Sequence, residues 1–176
     1  MDCSLPGSLV HGILQTSRLK AVSVPDGVTS IGFRAFQGCS ALESVSLPDS
    51  LKVIGNKAFL QCTGLKSLRL PERLESFTGA FDLSTTRLEF PQGNTRYRFT
   101  PEGALIDAEN HVLLAFPSAF EGHFTIPDGI TAVAPHAFRS CRLGGVTIPS
   151  SVTSLGAGAF ACSGLNDTLA GITFFK

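Results

Sequence analysis

The chain has 176 residues, of which 43% are hydrophobic and 16% are charged. This composition predicts one globular unit and excludes a disordered tail. Fourteen Lys and Arg residues balance fourteen Asp and Glu residues, so the chain lacks the basic excess with which proteins bind nucleic acid or anionic membranes.

The first 24 residues are predicted to form a short N-terminal coil. They lack the pattern of a signal peptide, because Asp2 replaces a basic start and Gly7, His11 and Gly12 interrupt the apolar run. The longest apolar runs, such as 112–116, are far shorter than the roughly 18 residues of a membrane-spanning helix. No membrane insertion is therefore expected, and an export signal would have to lie outside this chain.

Most of the chain repeats itself with a period in the low twenties. PDGVTSIGFRAFQGCSALESVSL begins at Pro25, PDSLKVIGNKAFLQCTGLKSLRL begins at Pro48, and a shorter copy, PERLESFTGAF, begins at Pro71. Two further copies begin at Pro127 and Pro149. A period of this size is that of one solenoid coil, which buries its apolar face only by stacking on its neighbours.

Each repeat divides into two extended segments and a turn. Residues 44–47 alternate polar and apolar side chains, which predicts a strand with Val45 inward and Ser44 and Ser46 outward. A second extended segment, such as 28–31, ends at a Gly that we expect to turn the corner. The Ala-Phe pair that follows predicts a short helical or 3₁₀ turn that places a ring in the core. The repeated rings are Phe36, Phe59, Phe81, Phe138 and Phe160.

The unit PDGVTSIGFRAFQGCSALESVSL resembles the bacterial leucine-rich repeat of the BspA-like surface-protein type, which has about 22–24 residues. The resemblance covers roughly residues 19–165. It includes the break between copies, because NTRYRFTPEGALIDAENHVLLAFPS is similar to the hairpin-bearing insert that many members place between regular coils. The resemblance implies a β-rich α/β solenoid: a leucine-rich repeat stack with short helical or 3₁₀ turns and a β-hairpin insert, whose tip lies around residues 107–110.

The predicted organisation is a single leucine-rich repeat domain over residues 1–176. In chain order it has a short N-terminal coil (1–24), regular coils (25–89), the hairpin insert (90–120), regular coils (121–170) and a C-terminal edge (171–176). The register departs from regularity near the end, where Cys162 follows Phe160 by two residues, whereas Cys39 follows Phe36 by three.

Five cysteines, at positions 3, 39, 62, 141 and 162, form no CxxC pair. Neither a disulfide framework nor a zinc knuckle is therefore predicted. Cys39, Cys62 and Cys141 recur at one repeat position and form either a reactive or metal-binding ladder or a column of small buried apolar side chains. We favour the buried column and predict no metal and no cofactor.

Two patterns imitate catalytic or cofactor motifs without their context. Residues 156–161 match GxGxxA of dinucleotide-binding folds, but they align with the repeat position of residues 32–36 and no long helix follows. Residues 17–20 have the SxxK spacing without its companion motifs. The histidines fall at unrelated repeat positions: His11, His111, His123 and His136. We therefore predict no catalytic residues and no enzyme.

Arg96, Tyr97 and Arg98 form the only cluster of basic and aromatic residues in the sequence. The cluster either contacts an anionic ligand or lies on a solvated strand face. We favour the strand face, because the remaining basic residues are scattered among acids.

Outward positions of the predicted strands form the candidate partner-binding surface. Their side chains are mostly small and polar, and solenoids commonly bind proteins on such extended faces. The predicted partner-binding residues are Ser23, Ser44, Ser46, Ser67, Arg69, Thr125 and Thr147.

The resemblance implies a cell-surface or secreted bacterial protein of a family linked to adhesion. We predict a non-enzymatic protein-protein interaction or adhesion module that presents its repeat surface to a protein partner and does not bind nucleic acid. The alternative is a structural or capping fragment of a longer surface repeat protein, with no partner of its own. The abbreviated first coil and the apolar end over 171–175 favour this alternative, since such edges promote edge-to-edge self-association.

Overall fold

The computed structural model of the chain describes residues 8–9, 18–77, 79–167 and 172–174, with side chains for 18–77 and 79–165. Within these ranges the regular secondary structure consists of short β-strands and one 3₁₀ helix, Gly164–Asp167. The strands are β1 (Ser8–Leu9), β2 (Ala21–Ser23), β3 (Ser30–Ile31), β4 (Ser44–Ser46), β5 (Val53–Ile54), β6 (Ser67–Arg69), β7 (Arg87–Glu89), β8 (Tyr97–Phe99), β9 (Leu105–Asp107), β10 (Val112–Ala115), β11 (Glu121–Thr125), β12 (Ala132–Val133), β13 (Arg142–Ile148), β14 (Ser154–Leu155) and β15 (Ile172–Phe174). Most of the predicted N-terminal coil and half of the predicted C-terminal edge lie outside the described residues.

The first of two compact units ends at Asn94, and its strands form two walls of parallel pairs. One wall is the sheet β1-β3-β5, in which Ser30 lies opposite Val53 and a bridge from Val53 to Ser76 adds a further coil. The other wall carries the pairs β2-β4 and β6-β7. The chain therefore coils as a solenoid and visits each wall once in each repeat.

The second unit begins at Thr95 and combines parallel coils with an antiparallel insert. The parallel sheet β11-β13-β15 forms one wall, and β10-β12-β14 forms the other. Strand β9 pairs antiparallel with both β8 and β10, so the predicted hairpin is confirmed and a third strand extends it to a meander. The β9–β10 turn spans 108–111, close to the predicted tip. The single-domain organisation over 1–176 stays a prediction.

Stacked phenylalanine rings run through the core of each unit. In the first unit the centroids of Phe36 and Phe59 are 5.1 Å apart and those of Phe59 and Phe81 are 5.3 Å apart. In the second unit Phe138 and Phe160 stack at 4.9 Å. The predicted column of equivalent rings is therefore confirmed within each unit.

The Ala-Phe segments form irregular hydrogen-bonded turns, so the predicted helical or 3₁₀ turns and the α/β description are not confirmed. In four coils, the residues two before and two after the Phe have positive φ angles. These pairs are Arg34 and Gly38, Lys57 and Gln61, His136 and Ser140, and Gly158 and Cys162. A left-handed residue at each end reverses the backbone and stops helix propagation after a single turn.

At Gly55 and Gly156, the glycine that ends the second extended segment is needed for close packing between coils. Gly55 has no positive φ, but a Cβ at this position would lie 2.7 Å from the backbone carbon of Gly32 and 2.7 Å from the nitrogen of Phe33. The predicted corner at Gly55 therefore does not depend on the conformational freedom of glycine. Its missing side chain lets neighbouring coils approach.

Candidate functional site

Five of the seven predicted partner-binding residues lie in the first unit, and all five are exposed: Ser23, Ser44, Ser46, Ser67 and Arg69. They occupy β2, β4 and β6, whose outward side we call the strand face. Ser23 lies opposite Ser46 in the parallel register of β2 and β4. Between the two serines of β4, Val45 is half-buried, so the predicted alternation of side chains is present.

The strand face is split between β4 and β6. Backbone hydrogen bonds join β2 to β4, for example from Val24 N to Ser46 O at 2.9 Å, and join β6 to β7, for example from Leu70 N to Glu89 O at 2.8 Å. In the described part of the chain no strand pairing joins β4 to β6. The amide and carbonyl groups of a strand point alternately to its two sides. The sides of β4 and β6 that face each other therefore keep backbone amides and carbonyls that strand pairing would otherwise hydrogen-bond.

An open groove of about 530 Å³ lies where β4 and β6 end, and we call it the β4–β6 groove. Ser46 and Arg69, two of the predicted residues, contribute to its lining together with Leu47, Asp49 and Glu72. The groove therefore offers a hydroxyl, a guanidinium and two carboxylates among several apolar side chains. Such a mixture hydrogen-bonds to polypeptide better than it holds an apolar ligand.

The two remaining predicted residues lie in the second unit and differ in exposure. Thr125 on β11 is exposed, and it lies opposite Thr147 on β13. Thr147 is only 8% exposed, and its Oγ1 lies 2.7 Å from Nε2 of His123. The prediction that Thr147 points into solvent was therefore wrong, because β13 is flanked by strands on both sides and the His123 imidazole reaches its hydroxyl.

The basic and aromatic cluster at 96–98 is built around an ion pair between the half-buried Arg96 and the buried Asp107. Nη2 and Nε of Arg96 donate to Oδ2 of Asp107 at 2.8 and 3.0 Å, and the guanidinium lies 4.9 Å from the Tyr97 ring centroid. The hydrogen bond to Asp107 raises the pKa of Arg96 further. Arg98 and Phe99 are exposed on β8. Arg96 is thus engaged inside the insert and is not available as an anion-binding group.

The repeated cysteines Cys39, Cys62 and Cys141 are buried, as the column interpretation predicted. Sγ of Cys62 donates to the carbonyl oxygen of Phe36 at 3.1 Å. Burial, reinforced by the neighbouring Cys39, raises the pKa of the Cys62 thiol to about 12. A thiol with so high a pKa is a poor nucleophile and a poor metal ligand at neutral pH.

Ser163 replaces cysteine at this position in the last coil described, which explains the register departure near Cys162. Ser163 follows Phe160 by three residues, is fully buried, and donates from Oγ to Phe160 O at 2.6 Å. Cys162 is exposed and has a left-handed φ of 56°. The spacing of three residues from the Phe identifies Ser163 as the equivalent of Cys39. Residue type alone instead suggests Cys162, which is the wrong residue.

The described ranges contain no cluster of three or more side chains suited to bind a metal ion. They also contain no helix long and apolar enough to cross a membrane.

Several solved structures resemble the chain, among them the following three. A leucine rich cell surface protein from Faecalibacterium prausnitzii is 34% identical with a TM-score of 0.53, and the match covers 80% of this chain and 38% of that one. The pneumococcal vaccine antigen PcpA is 22% identical with a TM-score of 0.63 and coverages of 82% and 37%. A leucine-rich repeat protein from Eubacterium ventriosum is 21% identical with a TM-score of 0.51 and coverages of 89% and 57%.

The chain thus spans less than two thirds of the length of each of these proteins, and the last two show the fold alone. No curated protein gives a significant sequence match. A family model described as a BspA type leucine rich repeat region, in six copies, matches residues 11–98 and 115–171. The chain belongs to the BspA-type leucine-rich repeat family.

Proposed function

We propose that the chain is a non-enzymatic interaction module that presents the strand face of its first unit to a protein partner. The family membership supports this, since repeat proteins of this kind use extended faces for binding. The cell-surface description of the relative that is 34% identical supports a cell-surface or secreted location and a role in adhesion.

The observation that carries the proposal is the β4–β6 groove. The exposed Ser46 lines it, and Arg69 supplies a guanidinium that forms charge-assisted hydrogen bonds. The facing strand edges add backbone donors and acceptors that a partner polypeptide can use. The small outward side chains of Ser44, Ser46 and Ser67 let that polypeptide approach the backbone closely.

A double variant, Ser46→Glu with Arg69→Glu, tests the proposal. Binding to a panel of immobilised host-matrix and bacterial surface proteins is measured by biolayer interferometry. The unaltered chain should bind at least one of them saturably, and the variant should bind at least tenfold more weakly with an unchanged melting temperature.

The matched control is Ser76→Glu with Lys52→Glu, which changes the charge equally at exposed positions near the other wall of the same unit. This control should keep the affinity of the unaltered chain. Equal affinity of the groove variant and the unaltered chain, or no saturable binding to any member of the panel, would remove the support for the strand face.

A structural role is the second candidate, favoured by the exposed side of β14. Leu155 is 46% exposed, whereas its counterparts Ile31, Ile54 and Val133 are buried. In the preceding coil the amides of His136, Phe138 and Ser140 donate to the carbonyls of 157, 159 and 161. Among the described residues, the equivalent amides at 158, 160 and 162 donate to no backbone carbonyl. This face fits a further coil or a second chain.

Sedimentation velocity distinguishes the structural candidate from the interaction module. Edge-to-edge association predicts a concentration-dependent increase in mass that Leu155→Asp abolishes. A monomer at all concentrations would argue against self-association through β14.

A further inference from the structure

Phe33, Arg34 and Lys57 form a cation–aromatic patch in the first unit. The Phe33 side chain is 38% exposed. The guanidinium carbon of Arg34 lies 4.7 Å from its ring centroid, and Nζ of Lys57 lies 5.9 Å from it. Both distances are in the range at which a ring attracts a cation. Two positive charges from neighbouring coils are therefore gathered over one exposed ring.

The backbone does not require cations at these positions. Arg34 and Lys57 have φ angles of 58° and 59°, in the left-handed region that disfavours residues with a Cβ. The equivalent positions in other coils are occupied by Gly79, with φ 68°, Gly158, with φ 61°, and His136, with φ 60°. Glycine thus satisfies the turn, and the long basic side chains add something that the fold does not need.

No carboxylate in the described part of the unit neutralises the charge of Arg34. Lys20 and Lys52 pair with Glu43 and Glu75 at 3.9 and 3.0 Å, but among the described acids none forms an ion pair with Arg34. A ligand carboxylate therefore reaches this guanidinium without displacing a protein carboxylate. Guanidinium groups bind carboxylates in a bidentate geometry, which makes the contact directional.

The net charge of the chain favours a short anion over a long polyanion as the ligand of this patch. The formal net charge is zero, so no extended positive field attracts a polyanion such as a sulfated polysaccharide or a nucleic acid. Two cations over one ring instead match one or two carboxylates with an aliphatic stem that packs on the exposed part of Phe33. Consecutive acidic residues of a peptide have this chemistry.

We propose that the cation–aromatic patch binds an acidic peptide segment of a partner protein. The carboxylates accept hydrogen bonds from Arg34 and Lys57, and the methylene groups of the peptide contact Phe33. The patch shares no residue with the β4–β6 groove, so this inference does not depend on the proposed function of the strand face.

Fluorescence anisotropy with a labelled tetraglutamate peptide tests the proposal, using the double variant Arg34→Gly with Lys57→Gly. Glycine suits the left-handed backbone, so the variant should fold with an equal or higher melting temperature. The unaltered chain should bind tetraglutamate at low ionic strength, and the variant should bind at least tenfold more weakly. Added salt should weaken binding, because the contacts are exposed.

The matched control is Lys20→Gln with Lys52→Gln, which removes two cations elsewhere in the same unit and should retain binding. Tetraglutamine and tetralysine peptides should not bind. The proposal is overturned if the unaltered chain does not bind tetraglutamate, if the glycine variant binds it equally well, or if heparin binds more tightly to both proteins than the peptide does.

Discussion

Asp107 is a buried carboxylate that ties the insert together. It accepts hydrogen bonds from Arg96 and, at the β9–β10 turn, from the backbone and side-chain nitrogens of Asn110 at 3.0 and 2.9 Å. Its side chain is 5% exposed, whereas that of Arg96 is 35% exposed. The Asp107 carboxylate is thus desolvated, whereas the Arg96 guanidinium is partly solvated. Asp107 therefore depends on these hydrogen bonds to stay charged in the folded protein.

Replacing Asp107 with Asn should lower the free energy of unfolding by about 1–3 kcal/mol at neutral pH. Breaking a fully buried pair costs more, but the partial exposure of Arg96 reduces the loss. Urea denaturation measures the difference. Glu109→Gln is the control, because the Glu109 carboxylate is 3.7 Å from Arg96 with its side chain 71% exposed, and the change should stay within about 0.5 kcal/mol. Equal effects of both variants would contradict this role of Asp107.

The same variant should show a defined pH dependence. Burial acts to raise the pKa of Asp107, but hydrogen bonds from Arg96 and Asn110 outweigh burial and hold this pKa below its ordinary value. A lowered pKa in the folded state stabilises the protein above the ordinary carboxyl pKa of about 4, and this stabilisation is lost as the pH falls through the lower folded value. The difference between the unaltered chain and Asp107→Asn should therefore shrink from pH 6 towards pH 2.

Single residues also mark the limit of sequence interpretation. The repeat spacing predicted the buried cysteine column and the stacked rings, because core positions recur with the coil. It did not predict that His123 contacts Thr147, since that hydrogen bond joins side chains 24 residues apart on neighbouring strands. It also gave no sign that Asp107 at the predicted hairpin tip would be buried.

At the scale of the element, close contact between coils depends on glycine. Gly55 N donates to Ile31 O at 2.8 Å, which draws its backbone against that of the preceding coil. A Cβ at this position would meet three backbone atoms at 2.7–2.9 Å. Backbone atoms cannot move aside as a flexible side chain does, so the spacing of β3 and β5 would have to increase.

Gly55→Ala should therefore lower the free energy of unfolding by about 1–3 kcal/mol, the range for overpacking. Thermal or urea denaturation gives the value. Gly144→Ala is the matched control, because its Cβ would meet no atom closer than 3.5 Å, and its effect should be within about 0.5 kcal/mol. A neutral Gly55→Ala would mean that the coils are less closely packed than the structure shows.

The sequence predicted those strands and turns that depend on a local pattern of residues. Alternating side chains located β4 and β6 to within a residue, and Pro-initiated turns separated the coils. The left-handed turns were not predictable, because Arg34, Lys57, His136 and Gln61 occupy positions where a sequence usually signals this conformation by Gly or Asn. The split between β4 and β6 depends on the spacing of coils, which no single repeat encodes.

At the scale of the whole molecule, each unit has its own ring stack and its own pair of strand walls. In a stack of coils every repeat contacts mainly its neighbours, so stability is transmitted from coil to coil. Amides of one coil donate to carbonyls of the next, as from Phe36 N to Ala58 O at 2.8 Å and from Phe138 N to Ala159 O at 2.8 Å. Exchange of these amides with solvent deuterium therefore reports the stability of the surrounding coils.

Phe59→Leu should loosen the first unit more than the second. Phe59 is 1% exposed and stacks on the rings of Phe36 and Phe81, so a smaller side chain leaves a defect between those coils that costs about 1 kcal/mol or more. Hydrogen–deuterium exchange should show faster exchange at the amides of 36 and 59 than in the unaltered chain, with a smaller change at 138. Phe138→Leu should give the reverse pattern, because that ring stacks on Phe160. Equal acceleration of both units by either variant would show that the chain unfolds as one cooperative body, since only global opening affects every coil alike.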